Sequence, residues 1–194
     1  MSSNVGSGVR GPYAKGIQRR QEILDRTLDV VASRGIDGTS LRAIGDAIGI
    51  SHAALRHYFS SREALLVEVL RERDVLSARM LEAVPGVVAG MTAVADHNVR
   101  EPALVTLYTT LLGASVEPGN EEARAFFTER FEAVRADLAA QLRDELAASG
   151  RYSDADLEQV ASLIIAAFDG LQVQWLLDRS IDIAGTLRLL ERVL

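Results

Sequence analysis

With 194 residues, 48% hydrophobic and 5% aromatic, the chain is long enough to bury the cores of one or two mostly helical domains. It has no cysteine, which excludes disulfides and thiolate metal sites and fits a reducing cytoplasm. The net charge of −6 is divided unevenly: residues through Arg62 hold 9 Lys and Arg against 5 Asp and Glu, a net +4, and the remainder holds 12 against 22, a net −10. Such an asymmetry offers one basic end to a polyanion while the acidic body repels it.

The first eleven residues are rich in Gly and Ser and lack the apolar core of a secretory signal. Residues 1–15 read as a disordered arm that contains Arg10 and Lys15. Ile17, Leu24, Thr27, Leu28 and Val31 mark a helix from Gly16 to Arg34, which Gly35 terminates. Thr39 or Ser40 then caps a short helix carrying Leu41, Ile44 and Ile48. Gly49 stops it, Ile50 plugs the turn, and Ser51 caps a second short helix whose Leu55 and Phe59 point inward. His52, Ala53, Ala54, Arg56, His57 and Tyr58 are left facing outward, with no acidic member. A helix of this length matches the DNA major groove, about 12 Å wide. The pattern is a helix-turn-helix over residues 16–62.

Ser60 and Glu63 have the spacing of a capping box and open a helix that continues to Ala83 through Leu65, Leu66, Val69, Leu70, Leu76 and Met80. Pro85-Gly86 ends it. Helices are expected over 87–98 and from Glu101 or Pro102 to Val116, the latter with Pro102 in its first turn. After the loop 117–120, Asn120 is placed to cap a long helix, 120–149, with the stripe Phe127, Phe131, Val134, Leu138, Leu142 and Leu146. Ser153 and Asp156 open another, 153–178. Its stretch 160–177 is apolar nearly all round, yet Asp169, Gln172 and Gln174 lie within it, so it reads as buried in protein and not in lipid. No membrane partner is expected. A short helix over 182–194 closes the chain with Ile183, Leu187, Leu190 and Val193.

Thr39-Ser40, Ile44, Ile48-Gly49-Ile50-Ser51, Leu55, Tyr58-Phe59, Arg62 and Ala64-Leu65 together resemble the signature of TetR-type repressors. Two positions depart from it: Ala53 stands where that family usually has glycine, and Arg56 where it usually has tyrosine. Residues 126–146 and the run 168–177 resemble the C-terminal half of betaine-repressor-like members. The resemblance implies an all-α fold, with an N-terminal three-helix DNA-binding domain and a C-terminal helical ligand-binding and dimerisation domain, 63–194. It also implies a homodimer paired through helices 120–149 and 153–178, a double-stranded DNA operator, and a small-molecule effector that releases it. His52 and Arg56 are the candidates for base reading, with Ala53 and Ala54 allowing close approach. Arg42 is a candidate for base or phosphate, and Thr39, Ser40, Ser51, His57, Tyr58 and Arg62 for phosphate.

Met80, Met91, His97, Tyr108, Phe127 and Trp175 are polarizable, aromatic or polar-tipped residues in otherwise aliphatic helices, and are candidates to line an effector pocket. The same residues suit an ordinary core. His52 and His57 lie five apart, about 140° around a helix, and cannot ligate one metal from one face. No nucleophile elbow or phosphate-binding glycine loop occurs, so no catalytic site and no cofactor is expected. A ligand-independent DNA binder or activator, and a helical interaction module without DNA binding, are the remaining readings of the same pattern.

Overall fold

The computed structural model describes residues 12–36, 39–147, 150–192 and 194. Among them the chain is all-α: α1 (Pro12–Arg34), α2 (Leu41–Ile48), α3 (His52–Tyr58), α4 (Arg62–Ala83), α5 (Val87–Asn98), α6 (Pro102–Ser115), α7 (Glu121–Leu146), α8 (Asp154–Leu177) and α9 (Ile183–Leu187), with a 3₁₀ turn over Arg188–Arg192. The first helix starts at Pro12 and not at Gly16, because proline suits a first turn whose N–H groups have no intrahelical partner. Arg10 and Val193 lie outside the described residues.

Two caps differ from the sequence reading. Ser61, not Ser60, caps α4 by accepting from the Ala64 N–H at 2.9 Å. The Glu63 carboxylate does not fold back; it accepts the Ala123 N–H in the first turn of α7 at 2.8 Å. That contact replaces the cap expected from Asn120, whose side chain makes no capping bond. The starts of α4 and α7 are thereby pinned together, and the Ser61 hydroxyl donates to Glu122 at 3.3 Å. The capping box of Ser153 and Asp156 is present as expected.

The apolar interior does not divide at Arg62. One cluster joins Ile23, Ile44, Leu55, Phe59 and Leu66 to Leu107, Tyr108, Phe126 and Phe127, so α6 and the start of α7 share a core with the first three helices. A second cluster holds Val87, Met91, Leu138, Leu142, Ile164, Phe168, Trp175, Ile183 and Leu187. Half-buried Phe131 packs against both. Helices α4, α6 and α7 therefore each contribute side chains to both clusters.

α8 is long and apolar enough to cross a membrane by length and composition, but only 33% of its apolar window is buried within the chain. Its open face carries Leu163, Ala166, Gly170, Val173 and Leu177, alternately three and four residues apart. Leu163, Val173 and Leu177 are 69%, 41% and 86% exposed. This spacing is that of a coiled-coil seam.

Candidate nucleic-acid interface and buried cavity

The turn between α2 and α3 is built by two glycines. Gly49 takes the left-handed conformation at φ 74°, which closes α2 without the steric cost a side chain would meet. Gly45 is buried against the turn itself: a Cβ there would lie 2.6 Å from the Ile50 carbonyl oxygen, whose residue donates its N–H to the Gly45 carbonyl at 2.8 Å. Gly45→Ala must therefore push the backbone of the turn aside. An expected loss of about 1–3 kcal/mol follows, measurable by denaturant unfolding. A loss below about 0.5 kcal/mol, the ordinary range of surface changes, would contradict this geometry.

Ser51 caps α3 by accepting the Ala54 N–H at 3.2 Å, and Ser40 caps α2 by accepting from Ala43 at 3.0 Å. Both serines are exposed, and a capping hydroxyl that accepts still has its own O–H to donate. Leu55 and Phe59 are buried, and the Arg20 guanidinium lies 5.3 Å from the Phe59 ring centre. Fixing these two side chains leaves His52, Ala53, Ala54, Arg56 and His57 exposed together. Tyr58 is half-buried and meets His57 edge to face at 5.6 Å. Arg42 is exposed on α2.

Thr39 and Arg62 are placed differently from the expected phosphate contacts. Thr39 is 1% exposed, and its hydroxyl donates to the Ile36 carbonyl at 2.5 Å. The Arg62 guanidinium donates to the same carbonyl and to the Thr39 hydroxyl. A hydroxyl without solvent access has no route to a phosphate, so Thr39 is a structural residue and Arg62 ties α4 to the segment ahead of α2. Arg26 adds a second tie, donating to the Ile48 carbonyl at 2.8 Å at the end of α2. Sequence spacing alone did not flag Arg26, since its partner is a main-chain atom on another helix.

Behind this unit lies a cavity of about 700 Å³ bounded by α4, α5, α6, α7 and α8. Exposed Val75, Ala78 and Glu82 of α4 face Ala133, Asp137 and Ala140 of α7 across its mouth. Of the six pocket candidates, Met91 and Tyr108 line it. Met80 and Trp175 pack into the second apolar cluster, and the Arg179 guanidinium covers the Trp175 ring at 3.8 Å. Phe127 is enclosed by Tyr108, Phe126 and Phe131, with ring centres 5.4, 4.9 and 6.2 Å away. His97 is half-buried near the end of α5, away from the lining. Met80, Trp175 and Phe127 are core residues whose faces are already occupied by neighbouring rings or aliphatic groups, and His97 is a helix-end residue.

A polar network that the candidate residues did not anticipate crosses the cavity wall. Arg130 Nε donates to both Asp74 oxygens at 3.0 Å, and its Nη1 donates to the Tyr108 hydroxyl at 3.1 Å. Tyr108 in turn donates to Asp169 at 3.1 Å. On the other side Arg73 donates to Asn98 Oδ1, and Asn98 Nδ2 donates to Gln172 Oε1 at 2.9 Å. Burial pulls Arg73 down to about 10 and pushes the Tyr108 phenol well above its ordinary value. Burial likewise lifts the Asp169 carboxyl to about 6, against the opposing pull of Arg130 and the Tyr108 hydrogen bond. Burial works against the Arg130 charge too, but Tyr108 and Asp74 hold it above its usual value. Asp169 and Gln172 were visible in the sequence as polar interruptions of its most apolar window; Arg73 and Asp74, in a helix already rich in charge, carried no such signal.

An exposed helix of small, basic and aromatic residues on a rigid two-helix scaffold, joined to a helical body with a cavity, defines a helix-turn-helix regulator. Residues 23–69 match the family of bacterial regulatory proteins, tetR family, and residues 86–194 match the BetI-type transcriptional repressor C-terminal family. The chain belongs to the TetR family of transcriptional regulators and is not an enzyme. It is 29% identical to the HTH-type transcriptional regulator PksA of Bacillus subtilis over 172 residues, 83% of this chain and 80% of that one. Other curated repressors are matched over less of their length, 26% in one case and 46% in another.

Two solved structures share the fold at low identity. A transcriptional regulator from Saccharomonospora viridis, in complex with choline, has a TM-score of 0.69 and 19% identity, covering 91% of this chain and 95% of that one. FadR from Bacillus subtilis, in complex with stearoyl-CoA, has a TM-score of 0.70 and 15% identity, covering 87% and 93%.

Proposed function

We propose that this chain is a homodimeric repressor that binds a near-palindromic operator and is released from it by a small molecule in the cavity. The observation that carries the reading is the exposed face of α3: His52, Arg56 and His57 stand beside the small Ala53 and Ala54, on a helix fixed by buried Leu55 and Phe59. Two such helices related by a two-fold axis read half-sites about 34 Å apart in successive major grooves. The seam on α8 supplies the surface for that axis, and the reading places the regulator in the cytoplasm with its DNA.

Coupling runs through α4. Its first turn is held to the DNA-binding unit by Arg62 and to α7 by Glu63, while Arg73 and Asp74 of the same helix wall the cavity. A ligand that displaces the middle of α4 therefore displaces α3 and changes the spacing of the two reading helices. The cavity favours this over a ligand-independent DNA binder, for which α4 to α8 could simply close on a filled core.

Arg56→Ala tests the reading head. If Arg56 holds guanine with both arms of its guanidinium, operator binding weakens by about 1–3 kcal/mol and specificity relaxes at one base pair. Competition binding with single-base operator variants measures it. Equal weakening on every sequence would make Arg56 a phosphate contact, and no weakening at all would remove α3 from the interface.

A further inference from the structure

The charges lining the cavity are not balanced pair by pair. Asp74 is held by Arg130 and Glu129 by Arg71, so two of the three lining arginines are spoken for. Arg73 is different. It is 8% exposed, its Nε has no hydrogen-bond partner, and it forms no ion pair among the described residues. Among the described residues its hydrogen bond is to a neutral amide, Asn98. A buried guanidinium left with unused donors is costly unless something accepts from them.

The aromatic surfaces decide the sign of the missing partner. An organic cation is ordinarily received on the faces of rings. Here Arg130 sits 4.9 Å from the Tyr108 ring centre and Arg71 sits 5.0 Å from that of Phe126. Two of the lining rings are thus already taken by guanidinium groups that would repel a bound ammonium. Of the remaining lining carboxylates, Glu82 and Asp137 are exposed to solvent at the mouth, and Asp169, set deeper, accepts from Tyr108 and has Gln172 within 3.5 Å. Apart from Ser77, Gln141 and Gln172, the rest of the lining is apolar.

Resting on the ligand-responsive reading above, we propose that the cavity takes an amphipathic carboxylate. Its acid group would be held by Arg73, and its apolar body would lie along Met91, Val94, Phe126, Leu138 and Phe168. Arg73 supplies a planar fork matched to two carboxylate oxygens, and the volume admits a medium-length chain or a ring system.

Calorimetric titration of the purified full chain, without DNA, tests this. The probes are straight-chain acids from hexanoate to hexadecanoate, each matched with the alkyltrimethylammonium ion and the alcohol of the same chain. Some member of the acid series is expected to bind at least about tenfold more tightly than its matched ammonium. Arg73→Gln should weaken that acid by about 10- to 100-fold while leaving the alcohol unchanged. Loss of the Asn98 bond could unfold that variant, so Asp169→Asn provides a second arm: at about pH 7.5 it removes a neighbouring negative charge and should tighten the acid and weaken the ammonium.

Preference for the ammonium, absence of binding by every acid, unchanged acid affinity in a folded Arg73→Gln, or weaker acid binding by Asp169→Asn overturns the proposal. Operator release is scored separately. An ammonium that binds and releases DNA sinks the ligand class but leaves the regulator reading standing, whereas an acid that binds and releases nothing does the reverse.

Discussion

Replacing Arg130 with methionine is expected to destabilise the protein by about 2–4 kcal/mol, because it strands Asp74 and takes a donor from Tyr108 in a part-buried site. The Asp74 side chain is 30% exposed, which keeps the figure below that for a fully buried pair. The double variant Arg130→Met/Asp74→Leu removes both charges and should recover most of the loss. Denaturant unfolding of the two variants measures the difference. A single variant within about 1 kcal/mol of wild type would mean that solvent, and not Arg130, satisfies Asp74.

Asp169 should behave in the opposite direction. Its folded value of about 6 lies above the ordinary carboxylate value near 4, so the folded state binds a proton more tightly than the unfolded one. Its burden on stability is absent below about pH 4, grows as pH rises, and is complete above about pH 6. Asp169→Asn should therefore raise stability by about 2–3 kcal/mol near neutrality and leave it unchanged in acid. A gain that is independent of pH would assign the effect to packing instead.

The second large effect is expected at the α8 seam. Leu163→Glu combined with Leu177→Glu places four charges in the proposed two-fold interface but touches only side chains exposed within one chain. Each subunit should keep its helical signal and melting behaviour, yet sediment as a monomer. Operator affinity should fall by on the order of 10²-fold or more, since half-sites would no longer be engaged by linked subunits. A double variant that remains dimeric would move the interface elsewhere.

Much of this molecule is legible in its sequence, for identifiable reasons. The two short helices announce themselves because Ser40, Gly49 and Ser51 are local signals that need no tertiary information. The same local logic succeeds at Ser153 and fails at Glu63, whose carboxylate had a backbone partner within reach on α7, 60 residues away. Thr39 fails for a related reason: position in a motif does not say which way a hydroxyl points, and here it points inward. The cavity was legible least. Its polar groups are charged residues that sequence patterning assigns to the surface by default, whereas the methionines and aromatics that attract attention are mostly ordinary core.

The central claim is that two copies of α3 read DNA from a fixed separation. Selection of binding sites from random duplex DNA by the purified protein, repeated over a salt series, tests it most directly. The expected result is an enriched inverted repeat, half-sites about one helical turn apart, with affinity falling steeply as salt rises and with enrichment altered by Arg56→Ala. No enriched sequence, or one indifferent to substitutions at both His52 and Arg56, would contradict the account and leave a helical interaction module in its place.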